Sequence, residues 1–106
     1  MNNVIIVGRL VRDPEMKKLE TGKKVCTMTL AVQRQYKNVD GEYETDFIDC
    51  DLWEGIAEAT KEYCKKGDVV GVKGRLQTRS TENGKIMIVC AEKVTFLSSK
   101  KENENE

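Results

Sequence analysis

A chain of 106 residues with 39% hydrophobic and 34% charged side chains fits one folded, soluble domain and not two. Its 18 cations balance 18 anions, and the zero net charge excludes a uniformly basic nucleic-acid binder. No apolar run approaches a membrane span or a secretory signal, and histidine, the commonest metal ligand and general base, is absent. A cytoplasmic location away from membranes is the expectation.

Five segments read as strands. The first is Val4-Ile5-Ile6-Val7-Gly8-Arg9-Leu10, β-branched and stopped by the turn residues Asp13-Pro14-Glu15. The second, at 24–33, alternates Cys26, Met28, Leu30 and Val32 against Thr27, Thr29, Ala31 and Gln33. The third, at 45–53, sets Ile48, Cys50 and Leu52 against Phe47, Asp49, Asp51 and Trp53. Period two in both marks half-buried strands. A helix follows at 54–66, with Ile56, Ala59, Thr60, Tyr63 and Cys64 on one face. Lys65 and Lys66 suit the negative end of its dipole, and Gly67 suits the position after its end. The fourth strand, at 68–78, sets Val70, Val72, Gly74 and Leu76 against Lys73, Arg75 and Gln77. The fifth, at 85–97, is rich in Ile and Val. Asp40-Gly41 and Asn83-Gly84 are hairpin signals between the second and third strands and between the last two. The segments 34–46 and 78–85 are expected as flexible loop arms.

A sheet this small must hide its edges, and closure into a barrel does so. Three strands, a helix and two strands is the OB-fold order. An SH3-like barrel lacks that helix, and a ferredoxin-like fold needs two. The expected fold is thus all-β with one helix, a five-stranded OB barrel with the helix between strands three and four. The domain spans 1–99. The rest, 100–106, reads Lys-Lys-Glu-Asn-Glu-Asn-Glu and is expected as a frayed tail. The four cysteines, Cys26, Cys50, Cys64 and Cys90, lack zinc-site spacing and read as buried reduced thiols.

OB-folds bind ligands across the outer faces of strands two and three. The third strand carries Phe47 and Trp53 there, although Ile48, Cys50 and Leu52 already fill its core face. Outward rings are platforms for unstacked bases; packing in a subunit interface is the competing explanation. Tyr36 follows the second strand between Arg34 and Lys37, a pattern suited to stacking with adjacent phosphate contacts. Tyr63 and Phe96 read as core, or for Phe96 interface. Arg9 and Arg12 flank the first strand's end, and Lys73, Arg75 and Arg79 lie on the fourth strand and the following loop. Asp46, Asp49 and Asp51 put at most two carboxylates on one face, with no base beside them. No enzyme activity, catalytic residue, metal or cofactor is expected.

Several motifs in order are familiar. The opening Asn3-Val4-Ile5-Ile6-Val7-Gly8-Arg9-Leu10-Val11-Arg12-Asp13-Pro14-Glu15, then Thr29-Leu30-Ala31-Val32, then Asp46-Phe47-Ile48 through Leu52-Trp53 with a helix ending in Lys65-Lys66-Gly67, then Gly74-Arg75-Leu76-Gln77-Thr78-Arg79, resembles the bacterial and phage single-stranded DNA-binding protein family. The resemblance covers about residues 1–97. It implies binding of single-stranded DNA with little sequence preference, in replication, recombination or repair, by a nucleoid-associated homotetramer or dimer. It places stacking on Tyr36, Phe47 and Trp53, and backbone contacts near Arg9, Lys17, Lys73 and Arg79. The alternative is an OB-fold adaptor of a replication or primosome complex, with the rings in a protein interface.

Three departures stand out. Ser80 occupies a position where the family often has an aromatic. Asp49 and Asp51 lie between the two rings, where carboxylates repel phosphates. The tail lacks the acidic and apolar tip through which family members recruit partners, so recruitment by that route is not expected. The charge is also sorted along the chain: residues 1–37 carry +5, 38–68 carry −7, 69–99 carry +3 and the tail −1. A balanced total therefore leaves room for a basic groove.

Overall fold

A computed structural model of the protein describes residues 1–97. The expected tail and the domain limit at 99 lie outside the described residues. Six strands and one helix follow in the order β1 (Val4–Leu10), β2 (Glu15–Lys18), β3 (Lys24–Lys37), β4 (Tyr43–Trp53), α1 (Glu54–Tyr63), β5 (Val69–Thr81) and β6 (Gly84–Phe96). The strands lie side by side as β1-β5-β6-β4-β3-β2, and a β1–β3 pairing through Arg9↔Ala31 and Leu10↔Leu30 closes the ring. β2 pairs with β3 alone. The other five strands form the expected OB barrel, with α1 between its third and fourth strands.

Period-two alternation decides what fills the barrel. Leu10, Cys26, Met28, Leu30, Cys50, Leu52, Val70 and Val72 point inward and are buried. The helix contributes Ala57 and Thr60 to the same core, packed with Cys64 just beyond its end. All four cysteines are buried, and no disulfide links them. Burial, aided by the charges of Asp49 and Asp51, pushes the Cys50 thiol up to about 12, so it stays a thiol at neutral pH. β5 and β6 approach closely at the register shift beside Gly74. A Cβ at Gly74 would overlap the Cys90 carbonyl oxygen, so only glycine fits there.

Four expectations are corrected. β2 has no counterpart among the five expected strands: Glu15-Met16-Lys17-Lys18 has a single apolar residue, and as an edge strand paired on one side it needs no more. The helix ends at Tyr63, not Lys66. The backbone N–H of Lys66 donates to Asp13 Oδ1 at 2.7 Å, and that of Gly67 to the Leu10 carbonyl at 2.9 Å. Those bonds dock the turn on β1 instead of continuing α1, and Gly67 takes its positive φ of 94° there. The arms are not loops: β3 runs to Lys37 with β4 starting at Tyr43, and β5 runs to Thr81 with β6 starting at Gly84. In each hairpin dipeptide only the glycine, Gly41 or Gly84, has positive φ. Finally, Tyr63 is exposed rather than core, its ring 5.8 Å from that of Phe96.

Candidate nucleic-acid interface

The outer face of β3 and β4 is set by register. Pairing places Val25 opposite Trp53, Thr27 opposite Asp51, Thr29 opposite Asp49 and Ala31 opposite Phe47. Small side chains on β3 thus leave room above the rings and carboxylates of β4. The arm formed by β5 and β6 stands beside this face, because β6 pairs in parallel with β4 at Cys50↔Val89 and Asp51↔Cys90. Two hollows result.

The larger hollow, about 500 Å³, brings together three of the expected site residues: Trp53, Lys17 and Arg79. Thr27, Asp51 and Ile88 also line it. The smaller, about 300 Å³, holds Phe47 with Asp49, Leu76 and Met87. Phe47 is 66% exposed, whereas Trp53 is half-buried. Tyr36 stands apart on the β3–β4 arm, 83% exposed.

The acid on β4 is neutralised locally. Asp51 was expected to face outward; it does, but Arg79 covers it, leaving its side chain 4% exposed. Arg79 Nη1 donates to Asp51 Oδ2 at 2.5 Å. Burial raises the Asp51 carboxyl above the ordinary carboxylate range, and the Arg79 charge opposes that rise. Asp49 Oδ1 accepts from Thr29 Oγ1 at 2.7 Å, and Thr29 Oγ1 in turn accepts from Arg12 Nη2 at 3.0 Å. Each carboxylate between the rings therefore has its own donor.

The remaining cations are distributed elsewhere. Arg34 forks onto Asp46 at 3.0 and 2.9 Å and pairs with Glu44 at 3.1 Å, which ties it to the acid of its own arm. Lys73 and Arg75 share Glu92, at 3.6 and 3.3 Å. Arg9 donates to the Gly67 carbonyl at 2.7 Å. None of these four lines either hollow. The structure also adds hollow-lining residues that alternation alone did not single out: Met87, Ile88, Gln77 and Thr78. Their signal was the Asn83-Gly84 hairpin, which fixes the β5–β6 register, with Thr78 opposite Met87 and Gln77 opposite Ile88. Lys17 could come only from resemblance, since β2 was not visible as a strand.

The geometry defines a class: an OB barrel with aromatic rings and cations on the outer face of β3 and β4. Comparison with known proteins narrows it. The model of the Single-strand binding protein family matches residues 1–97, and the chain belongs to that family. It is 45% identical over 104 residues to Single-stranded DNA-binding protein B of Bacillus subtilis (strain 168), covering 93% of this chain and 92% of that one. It is 48% identical over 105 residues to Single-stranded DNA-binding protein 3 of Listeria innocua, covering 94% of this chain and 66% of that one. Against Single-stranded DNA-binding protein 1 of Lactococcus lactis it is 49% identical over 83 residues, 78% of this chain and 55% of that protein. The chain thus spans nearly all of one relative and between half and two thirds of the others.

Proposed function

We infer that the protein binds single-stranded DNA across the β3–β4 face and protects it during replication, recombination or repair. Family membership supports the activity. The observation that carries the site is the joint placement of Trp53, Lys17 and Arg79 in one hollow. A π-face beside two cations meets an unstacked base and its phosphates at once, whatever the base. The reading is of a passive, non-catalytic binder. Phe47 and Trp53 stack bases along β4, and Tyr36 stacks a further base on the β3–β4 arm. Lys17 meets the backbone between them, joined by Arg79 from its place over Asp51; Arg34, Lys73, Arg75 and Arg9 make outlying contacts, for which Arg34 must exchange Asp46 and Glu44, and Lys73 and Arg75 must exchange Glu92, for phosphate.

No helix among the described residues is long and apolar enough to cross a membrane. We propose a cytoplasmic, nucleoid-associated protein. Ile5 and Val7 lie exposed on the outer face of β1, and that apolar strip supports assembly of a dimer or tetramer. A monomeric mass in solution would contradict the assembly.

The test of the site is salt dependence. Single-strand binding should weaken with a slope in log K against log salt of about −0.7 per phosphate neutralised. Replacing Lys17 with alanine should flatten that slope by about 0.7 for oligo-dT, with little dependence on base composition. An unchanged slope would remove Lys17 from the backbone path. Tyr36→Ala should also weaken oligo-dT binding, but by less than Trp53→Ala. Its ring is open to solvent on a projecting arm, while Trp53 sits in a hollow that excludes water from one side of a stacked base. Labelled-oligonucleotide anisotropy measures both; a larger loss at Tyr36 would reverse the ranking of the two platforms.

A further inference from the structure

Ile88 lines both hollows, and beside it in the chain Met87 lines only the smaller one. Met87 is 63% exposed, on an arm that leaves the barrel core behind. Core packing therefore does not explain it. Phe47 is exposed to a similar degree in the same groove, above the apolar side chains of Ile6, Ile48 and Leu76. Asp49 is the only charged residue of the lining, so a phosphate or an acidic peptide would meet a carboxylate and no cation. The groove suits an uncharged, flat group. At about 300 Å³ it lies at the small end of hollows that hold organic ligands.

Position identifies that group. Phe47 and Trp53 share one face of β4 and lie six residues apart, about 20 Å at strand spacing. The two hollows share Ile88 in their linings. A strand laid along β4 with one base in the Trp53 hollow runs past the Phe47 groove. We propose that Met87 and Phe47 are the two walls of a second base slot, with the base stacked on the Phe47 ring and its opposite face or edge against the Met87 thioether. This rests on the assignment of the β3–β4 face to single-stranded DNA. Sulfur is polarisable and favours contact with π systems, and methionine adapts to bases of different size. The slot thus adds grip without adding base preference.

Protection from peroxide is the direct readout, with sulfoxide at each methionine followed by mass spectrometry in the full chain. Met1, fully exposed, and Met28, buried at 1% exposure, serve as internal references. Saturating oligo-dT should slow Met87 oxidation several-fold and leave Met1 unchanged. Met87→Ala should weaken oligo-dT binding by about 3- to 10-fold, and Met87→Leu by less. Equal Met87 oxidation with and without oligo-dT, while Trp53 emission is quenched, would overturn the slot and leave the interface standing. If oligo-dT changed neither signal, the interface itself would fall, and the slot with it. Protection of Met87 that appears without DNA and disappears on dilution would assign the groove to a second copy of the chain, which also overturns the slot.

Discussion

Trp53→Ala is expected to weaken oligo-dT binding by about 1–3 kcal/mol, roughly 5- to 150-fold. The ring shares its hollow with Lys17 and Arg79, so under the proposed function a base stacked there would be held while its phosphates were neutralised. Truncation removes the stacking and opens the hollow to water, which weakens the charge contacts as well. The fold should survive. Trp53 precedes α1 with an extended backbone, and its side chain makes no capping bond to the helix. Trp53 is also the only tryptophan, so the variant has no intrinsic probe and affinity must be read from a labelled oligonucleotide. Unchanged affinity with an intact circular dichroism spectrum would remove the principal platform from the site.

Arg79→Ala is expected to lower stability by about 1–3 kcal/mol and to weaken DNA binding as well. A fully buried ion pair that loses one partner costs about 3–5 kcal/mol. Arg79 is 44% exposed, and solvent screening reduces that figure. The cost falls on Asp51. Its Oδ1 makes no hydrogen bond among the described residues, and its Oδ2 would lose Arg79. Asp51→Asn removes the stranded charge, so the double variant should recover most of the loss. The pH dependence has a definite sign. The folded-state pKa of Asp51 is raised, so its favourable contribution is complete below the ordinary carboxylate range and is lost as pH climbs through the raised value. Arg79 opposes that rise, and its removal enlarges it. The stability gap between the native protein and Arg79→Ala should therefore be larger at pH 7 than near pH 4, where the unfolded chain's carboxylates also take up protons. Urea unfolding at the two pH values measures it. A gap that stayed constant, or a double variant no more stable than Arg79→Ala, would mean that the pair does not govern the cost.

Alternation made the barrel legible. Inward Cys26, Met28 and Leu30 on β3, and Cys50 and Leu52 on β4, follow from period two alone, and so do the outward positions of Phe47 and Trp53. β2 was not legible, because Glu15–Lys18 buries too little to leave a pattern. The helix end was hidden for another reason. Lys66 and Gly67 are held by Asp13 and Leu10, partners more than fifty residues away that no local signal announces. The fate of the acid on β4 depends on tertiary structure in the same way. Asp51 lies buried beneath Arg79, which the β5–β6 arm brings to it across 28 residues of sequence. Charge counting located the basic and acidic segments, but not that Arg34 would be held by Asp46 and Glu44 while Lys17 and Arg79 gathered at Trp53.

The most direct measurement is a titration of the intact protein with oligo-dT, following Trp53 emission at low and at raised salt. Quenching that saturates at low salt, weakens as salt increases, and is not reproduced by duplex DNA is the predicted result. Unchanged Trp53 emission at low salt under oligo-dT concentrations that bind the protein by anisotropy would contradict the β3–β4 face as the DNA site.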